Sequence, residues 1–175
     1  MSEGEHGKLP YRPNVGICLL NTDGHVWMGK AKTSGPEIVT PGREWQMPQG
    51  GIEETEDIVE AARRELWEET RATSVEFLAA TTEWWSYDFP AGFDSAKHKE
   101  AGHKLNSFCG QKQKWVAFRF TGTVDEIDIT ASHTGEPQEF FDWDWLDAKT
   151  AFERTVSYKM AQYERVFAAF GCYIT

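Results

Sequence analysis

Two apolar runs near the N-terminus are separated by a short polar turn. The runs lie within VGICLLNTDGHVWMG, and the turn is Asn21-Thr22-Asp23-Gly24. A glycine in such a turn is typical of a β-hairpin. We therefore predict two paired strands. Residues 33–44, rich in Pro, Gly and Thr, are predicted to form a loop before a short strand over residues 45–48.

The segment that follows is predicted to be an amphipathic helix ending near residue 70. Thr55 is expected to cap it, with Glu56 and Asp57 in the first turn, where the helix dipole favours negative charge. The later residues, AARREL, are good helix formers. The apolar stripe of the helix includes Ile58 and Leu66.

Acidic residues are unusually dense in this helix and the turn before it, with eight in the 21 positions from Gly50 to Thr70. At about 100° per residue, Glu65 and Glu69 lie within about 20° of Ile58 on the apolar side, and Glu68 is their neighbour. Like charges at this spacing destabilise a helix, and partial burial adds to the penalty. The cluster is either a solvated acidic face or a site for a hard divalent cation such as Mg²⁺.

The rest of the chain alternates extended segments, loops and one further helical region. The mixture of strands with two helical regions indicates an α/β fold. Residues 1–10 are expected to be a flexible arm and residues 11–175 a single domain. The predicted elements are a strand from Ser74 to about Phe89, a loop over 90–112, a strand over Lys114–Phe120, a loop over 125–138, a strand over Phe140–Leu146, and a helix from about Asp147 that breaks near Val156.

Composition narrows the possible classes of protein. The 175 residues are 40% apolar, which suits one domain with a substantial core. The net charge of −10 disfavours broad binding to duplex DNA. The polar N-terminus and the lack of an apolar run of about 20 residues predict a cytoplasmic protein without a membrane segment. Three widely spaced cysteines are interpreted as inert thiols.

The acidic helix also resembles a known family. Gly50, five residues, Glu56, seven residues and then the run Arg64-Glu65-Leu66-Trp67-Glu68-Glu69 are similar to the Nudix box, G-x5-E-x7-R-E-U-x-E-E-x-G-U. Arg71 stands where the family usually has glycine, so we expect altered local geometry there. The resemblance implies an α/β/α sandwich around a curved mixed β-sheet.

Motifs outside the box indicate a branch of that family. They resemble the bacterial RNA pyrophosphohydrolases and the plant-type dinucleoside polyphosphate hydrolases over most of residues 11–170. These motifs are YRPNVGICLLN, WQMPQGGI, SYDFP, GQKQKW and EFFDWDW.

The resemblance assigns roles to the acidic residues. Glu65, Glu68 and Glu69 would bind Mg²⁺ or Mn²⁺, and Glu139, which precedes the F-x-x-W-x-W pattern, would bind metal or act as general base. Glu68 is the other candidate base. In the conserved run of the box, Arg64 belongs to the catalytic group. Gly50 and Glu56 are expected to be structural, with Glu56 paired to Arg64.

The resemblance also names candidate substrate contacts. Arg12 and Lys114 match phosphate-contacting positions, and Lys112 is a weaker candidate. Gln49 lies beside the box. Tyr87 is either a substrate contact or core packing, and Tyr158, within VSYK, either stacks on a base or packs between helices.

The leading functional hypothesis is metal-dependent hydrolysis of phosphoanhydride bonds in 5′-polyphosphate RNA ends, dinucleoside polyphosphates, or both. A nucleotide or an RNA 5′ end would be the partner. Two alternatives stay open at this point. One is a non-catalytic nucleotide-sensing module, and the other is an enzyme that clears damaged nucleoside triphosphates.

Overall fold

The computed structural model describes residues 10–31, 40–90, 108–130, 135 and 138–175. The predicted arm over residues 1–10 lies outside the described part except for Pro10, and so does most of the predicted loop over 90–112. The strands are β1 (Tyr11–Leu20), β2 (Val26–Ala31), β3 (Trp45–Gln46), β4 (Gln49–Gly51), β5 (Val75–Ala80), β6 (Trp85–Asp88), β7 (Gly110–Phe120) and β8 (Phe140–Leu146). The helices are α1 (Ile58–Thr70), α2 (Ala148–Arg154) and α3 (Met160–Ala169), with 3₁₀ turns at Val124–Glu126 and Ser157–Lys159.

The strands form one mixed sheet. Its main order is β3-β2-β1-β7-β5, with β4 paired to β1, β6 to β7 and β8 to β2. The central pair, β1 and β7, is parallel, and its register runs from Tyr11 opposite Gly110 to Leu20 opposite Arg119. The other strand pairs are antiparallel. The predicted mixed sheet is therefore confirmed.

Helices cover both faces of the sheet. On one face, Val15, Ile17 and Phe118 pack with Ala62 and Leu66 of α1. The other face packs against α2 and α3, in a cluster that includes Cys18, Leu20, Trp115, Ala151, Tyr163 and Val166. Alternate residues of β1 and β7 point to opposite layers, as the period of a strand requires. The result is the α/β/α sandwich that the family resemblance implies.

The first turn confirms the predicted hairpin. Gly24 has a φ of 77°, a left-handed conformation that costs glycine little. The Asn21 side-chain oxygen accepts hydrogen bonds from the backbone N–H groups of Asp23, at 3.0 Å, and His25, at 2.9 Å. An asparagine that bonds its own turn in this way fixes the direction of the chain between β1 and β2.

The predicted helix cap at Thr55 is wrong, because Asp57 caps α1. Asp57 Oδ1 accepts hydrogen bonds from Val59 N at 2.9 Å and Glu60 N at 3.3 Å. The backbone N–H groups of Thr55 and Glu56 instead bond the carbonyl oxygen of Glu53. That turn delays the start of the helix by two residues and leaves Glu56 in front of it.

Two strand boundaries also differ from prediction. The extended segment from Ser74 is split into β5 and β6, because residues 81–84 leave the sheet between them. Strand β7 begins at Gly110, inside the predicted loop, because residues 110–112 pair with both β1 and β6. The predicted break near Val156 is confirmed, since a 3₁₀ turn separates α2 from α3.

Candidate active site

Arg64 joins α1 to the turn that precedes it. Its Nε donates to Glu56 Oε1 at 2.8 Å, and its Nη2 donates to Glu56 Oε2 and to the Gly51 carbonyl oxygen, both at 2.9 Å. Glu56 also accepts the backbone N–H of Glu53 at 3.0 Å. The hydrogen bond from Arg64 is the main cause that lowers the pKa of Glu56. The structure thus contains the predicted Glu56–Arg64 pair.

Arg64 also reaches two carboxylates of the acidic cluster. Its Nη1 donates to Glu65 Oε1 at 2.7 Å and lies 3.5 Å from Glu68 Oε1. One guanidinium therefore borders three acidic side chains, which reduces their mutual repulsion. This arrangement explains how the chain tolerates the dense run of negative charge on one helix.

Glu65 packs directly on the glycine turn. A Cβ built on Gly50 would lie 1.8 Å from Glu65 Cδ, so any larger residue at Gly50 would displace this carboxylate. Burial raises the pKa of Glu65 to about 7, although the neighbouring Arg64 acts in the opposite direction. The absence of a side chain at Gly50 therefore sets the position of a candidate metal ligand.

Glu69 is the most strongly perturbed residue of the cluster. Its Oε2 is buried and has no hydrogen-bond partner among the residues that the structure describes. Burial raises the pKa of Glu69 well above its ordinary value, and the charges of Glu139 and Glu65 act in the same direction. An unsatisfied buried carboxylate oxygen is costly unless a cation or a proton compensates it. The residues present therefore fit a divalent cation.

Glu139 belongs to the same site although it lies 70 residues beyond Glu69 in the sequence. It is exposed, directly before β8. Its charge raises the pKa of both Glu69 and Lys159, so it borders both of them. Glu139 is far from α1 in the sequence. The pairing of β8 with β2 brings this acid close to that helix.

Lys159 is a functional candidate that the sequence reasoning missed. It is 2% exposed, and its Nζ donates to Gln46 Oε1 at 2.6 Å and to Gln49 Oε1 at 2.9 Å. Burial lowers its pKa to about 8, while the carboxylates of Glu139 and Glu69 oppose that shift. The VSYK stretch could have indicated Lys159, because this lysine directly follows Tyr158, the one residue of the stretch that was predicted as a substrate contact.

A network of side-chain amides lies next to Lys159. Gln113 Nε2 donates to Asn14 Oδ1 at 2.8 Å and to Gln49 Oε1 at 2.9 Å. Gln49 Nε2 in turn donates to Gln111 Oε1 at 3.3 Å, and the Tyr87 hydroxyl donates to the same oxygen. Fixed amides of this kind offer donors and acceptors to the polar edges of a ligand.

The predicted substrate contacts divide into two groups. Tyr87 and Tyr158 lie together, with ring centroids 6.1 Å apart, beside the amide network. Arg12 influences the pKa of both Glu65 and Tyr87, so its charge lies between the acidic cluster and the tyrosines. Lys114 is separated from the amide network, because strand alternation places it on the opposite face of β7 from Gln111 and Gln113, the face that carries α1.

The described carboxylates of the acidic cluster do not converge on a single metal position. Within the described ranges, no group of three His, Cys, Asp or Glu side chains is close enough to hold a metal ion. Glu65 is held by Arg64, and like charges repel each other in the absence of a cation. Small side-chain rotations would be needed to converge Glu65, Glu68 and Glu69 on one ion.

Arg71 adopts the left-handed conformation that the Nudix box gives to glycine. It ends α1 with a φ of 64°, and its backbone N–H donates to the Trp67 carbonyl oxygen at 2.9 Å. The helix therefore ends in a left-handed residue although that residue is arginine. The guanidinium lies 4.5 Å from the centre of the Trp67 ring, and Nη1 donates to the same Trp67 oxygen at 3.1 Å. These contacts offset the strain at Cα.

Comparison with known proteins identifies the family. A profile described as NUDIX domain matches residues 10–168. The chain belongs to the Nudix family. An RNA pyrophosphohydrolase of Afipia carboxidovorans is 44% identical over 163 residues, covering 93% of each chain. One from Caulobacter vibrioides is 42% identical over 170 residues, covering 97% of this chain and 90% of the relative. The predicted family and branch are confirmed.

Solved structures support the same fold for this Nudix domain. A C. elegans Ap4A hydrolase complex has a TM-score of 0.58 at 18% identity, covering 92% of this chain and 98% of the other. The E. coli dihydroneopterin triphosphate pyrophosphohydrolase has a TM-score of 0.62 at 18% identity, with coverages of 91% and 98%. At this identity the likeness shows the fold alone.

Two coarser points accompany the family assignment. Nudix hydrolases generally require divalent metal ions, and the curated relatives carry the name of an enzyme that acts on RNA. In the described part of the chain, no helix combines the length and the apolar character needed to cross a membrane.

Proposed function

We propose that this Nudix hydrolase removes pyrophosphate from triphosphorylated RNA 5′ ends and also accepts dinucleoside polyphosphates. The observation that carries the proposal is the position of Glu69. Its buried oxygen has no hydrogen-bond partner in the described part of the chain, and the charges of Glu139 and Glu65 act on it. Lys159, Gln49, Tyr87 and Tyr158 form a polar and aromatic group beside these carboxylates. A cation site next to a polar and aromatic pocket suits a nucleotide with a polyphosphate chain.

Glu65, Glu68, Glu69 and Glu139 are the residues that would hold the cation, and Mg²⁺ is the expected ion because all four offer hard oxygen ligands. When bound, the ion would neutralise phosphate charge and acidify a coordinated water. The raised pKa values of Glu65, to about 7, and of Glu69 mean that ion binding would release protons from these side chains. Mn²⁺ has similar ligand preferences and is a second candidate.

In the proposed reaction, Glu139 accepts a proton from the attacking water. It is exposed and borders Glu69, whereas Glu68 has Arg64 Nη1 at 3.5 Å. The water oxygen forms a bond to phosphorus as the anhydride bond between the α and β phosphates breaks. The electron pair of that bond leaves with pyrophosphate, and the RNA retains a 5′ monophosphate. Variants of Glu139 and Glu68 distinguish the two candidate bases by the pH dependence of kcat.

The remaining polar residues would bind the substrate in its reactive position. Lys159 and Arg12 carry positive charge to the border of the acidic cluster, where they would contact phosphate oxygens. Tyr87 and Tyr158 offer aromatic surface to an unpaired base, and the amides of Gln49 and its neighbours offer hydrogen bonds. A cytoplasmic location, where such RNA is made, remains the expectation for this protein.

The deciding experiment is a competition among three substrates with Mg²⁺ present. Triphosphorylated short RNA, diadenosine tetraphosphate and an oxidised nucleoside triphosphate are compared by kcat/KM. The proposal expects the highest value for RNA, in line with the names of the relatives. A preference for the oxidised nucleotide would favour the sanitising alternative. No turnover of any of the three, with a folded protein, would favour the nucleotide-sensing alternative.

A further inference from the structure

A second aromatic and basic surface lies on the sheet face that carries α1. Trp84 is 41% exposed, just before β6. The Nζ atoms of Lys112 and Lys114 lie 5.1 Å and 4.9 Å from the centre of its ring. We call these three residues the Trp84 platform. Alternation along β7 turns Gln111 and Gln113 of the amide network to the other face.

The register of the sheet sets the distance from this platform to the candidate active site. Val15 of β1 pairs with Gly50 on one side and with Lys114 on the other. Gly50 supports Glu65, so Lys114 lies two strand spacings, about 10 Å, from the position under that carboxylate. The platform and the acidic cluster therefore lie on the same side of the sheet, about 10 Å apart at the backbone.

The charges around Trp84 suit a polyanion. The whole protein carries a net charge of −10, which repels RNA at long range. Two ammonium groups over one exposed ring form a local exception. An exposed cation–π contact is weak, so either lysine can leave the ring for a phosphate at little cost. The indole face would then be open to a base, since stacking does not depend on base identity.

We propose that the Trp84 platform binds an unpaired base of the RNA chain downstream of the 5′ end, with Lys112 and Lys114 on the flanking phosphates. This inference rests on the proposed RNA substrate. It adds a contact to the part of the RNA chain beyond the first two nucleotides, which a dinucleotide lacks. The platform would thus favour 5′ ends that continue into single-stranded RNA over small nucleotides.

The test measures binding without hydrolysis. A fluorescent, 5′-monophosphorylated, single-stranded RNA of ten nucleotides is titrated with protein in EDTA, and anisotropy gives Kd. We expect Trp84→Ala to raise Kd on the order of tenfold, and Trp84→Phe to retain most of the affinity. We expect Lys112→Ala to reduce the slope of log K against log salt by about 0.7. Phe77→Ala, which removes another exposed ring at 45% exposure, is the matched control and should bind like the wild type.

The same titration with a dinucleotide shows whether the effect depends on length. The proposal requires the Trp84→Ala penalty with the decamer to exceed that with the dinucleotide. An equal penalty for both, no penalty for the decamer, or no binding of the decamer by the wild type would overturn it. A similar penalty for diadenosine tetraphosphate would also overturn it, by assigning the ring to the second nucleoside of that compound. Circular dichroism melts check that each variant is folded.

The design separates this inference from the proposed function. Length-dependent binding through Trp84 in a protein that hydrolyses no RNA would contradict the proposed function and support the platform. Hydrolysis of triphosphorylated RNA with an unchanged Kd for Trp84→Ala would support the proposed function and contradict the platform.

Discussion

Arg64 holds Glu56 through two hydrogen bonds, 2.8 Å from Nε and 2.9 Å from Nη2, and so ties the middle of α1 to the turn in front of it. Seven residues lie between Glu56 and Arg64 in the sequence. The pair is only partly exposed, at 29% for Arg64 and 16% for Glu56. The same guanidinium reaches Glu65 and Glu68, so this contact orients the acidic cluster as well as the turn.

Glu56→Ala is expected to lower the free energy of unfolding by about 2 kcal/mol. The change leaves a half-buried guanidinium without its main partner, which costs more than the loss of an exposed ion pair. Urea titration measures the difference. Glu60→Ala is the control, because Glu60 Oε1 is 4.0 Å from Arg63 Nε and the Glu60 side chain is 71% exposed. A loss below about 0.5 kcal/mol for Glu56→Ala, equal to that control, would show that the pair contributes little.

Glu69→Gln is expected to reduce metal-dependent hydrolysis by more than about a hundredfold, while the fold persists. The amide cannot supply the negative charge that a divalent ion needs, but it is as large as the carboxylate. Pyrophosphate release with Mg²⁺ measures activity, and a melt in EDTA measures stability. In EDTA the variant should be at least as stable as the wild type, because it removes a negative charge whose Oε2 is buried without a partner among the described residues.

Glu60→Gln is the matched control for that experiment. Glu60 is on the same helix, with 71% of its side chain exposed. It should retain full turnover. Turnover of Glu69→Gln at the wild-type rate would contradict the assigned role of Glu69 and leave the acidic cluster as a solvated surface.

Arg71→Ala is expected to destabilise the protein by about 1 kcal/mol, whereas Arg71→Gly should stay within about 0.5 kcal/mol of the wild type. Alanine loses the contacts with Trp67 but keeps the strain of a left-handed Cα. Glycine loses the same contacts and is relieved of the strain. Thermal unfolding of the three proteins gives the comparison. Equal destabilisation by both changes would mean that the strain at this position is negligible.

Glu126→Gln is expected to destabilise the protein at pH 7 by about 1 kcal/mol and to have no effect near pH 2. Glu126 Oε1 accepts the backbone N–H groups of Thr73, at 2.5 Å, and Ser74, at 2.7 Å. These bonds hold the pKa of Glu126 at about 2, against the effect of burial. The folded pKa is below the unfolded value, so the stabilisation is present above about pH 4.5 and lost as the pH falls towards 2.

The pH dependence of Glu126→Gln is read from urea midpoints between pH 2 and pH 7. The urea midpoint of the wild type should exceed that of the variant at pH 7, and this difference should disappear across the lower half of the range. A constant difference at every pH would show that the charge of Glu126 is irrelevant and that only the shape of the side chain matters.

The sequence predicted the features that depend on neighbours along the chain. The hairpin at Gly24 and the helix that carries Glu65, Glu68 and Glu69 follow from short-range spacing. The Glu56–Arg64 pair was implied by the resemblance to the Nudix box. The Nudix box also identified the family, because all of its residues lie in one turn and one helix that follow each other in the sequence. The cap at Asp57 was missed because Thr55, two residues earlier, is also of a type that caps helices.

The long-range arrangement of the site could not be read from spacing. Glu139 and Lys159 reach Glu69 only because β8 pairs with β2 and a 3₁₀ turn precedes α3. Likewise, Lys114 and Gln113 are adjacent in sequence, yet the period of β7 sends them to opposite layers. That strand was predicted to begin only at Lys114, so the pairing of residues 110–112 was not predicted.

The sequence by itself thus determined the family and the presence of an acidic helix, because local spacing fixes which side chains share a helical face. Only the tertiary structure decided that Glu69 has a buried oxygen with no hydrogen-bond partner among the described residues, that Lys159 lies close to it, and that Trp84 lies under two lysines. Burial and strand pairing depend on contacts between residues that are distant along the chain. The spacing of neighbouring residues therefore does not reveal the free energies of these contacts.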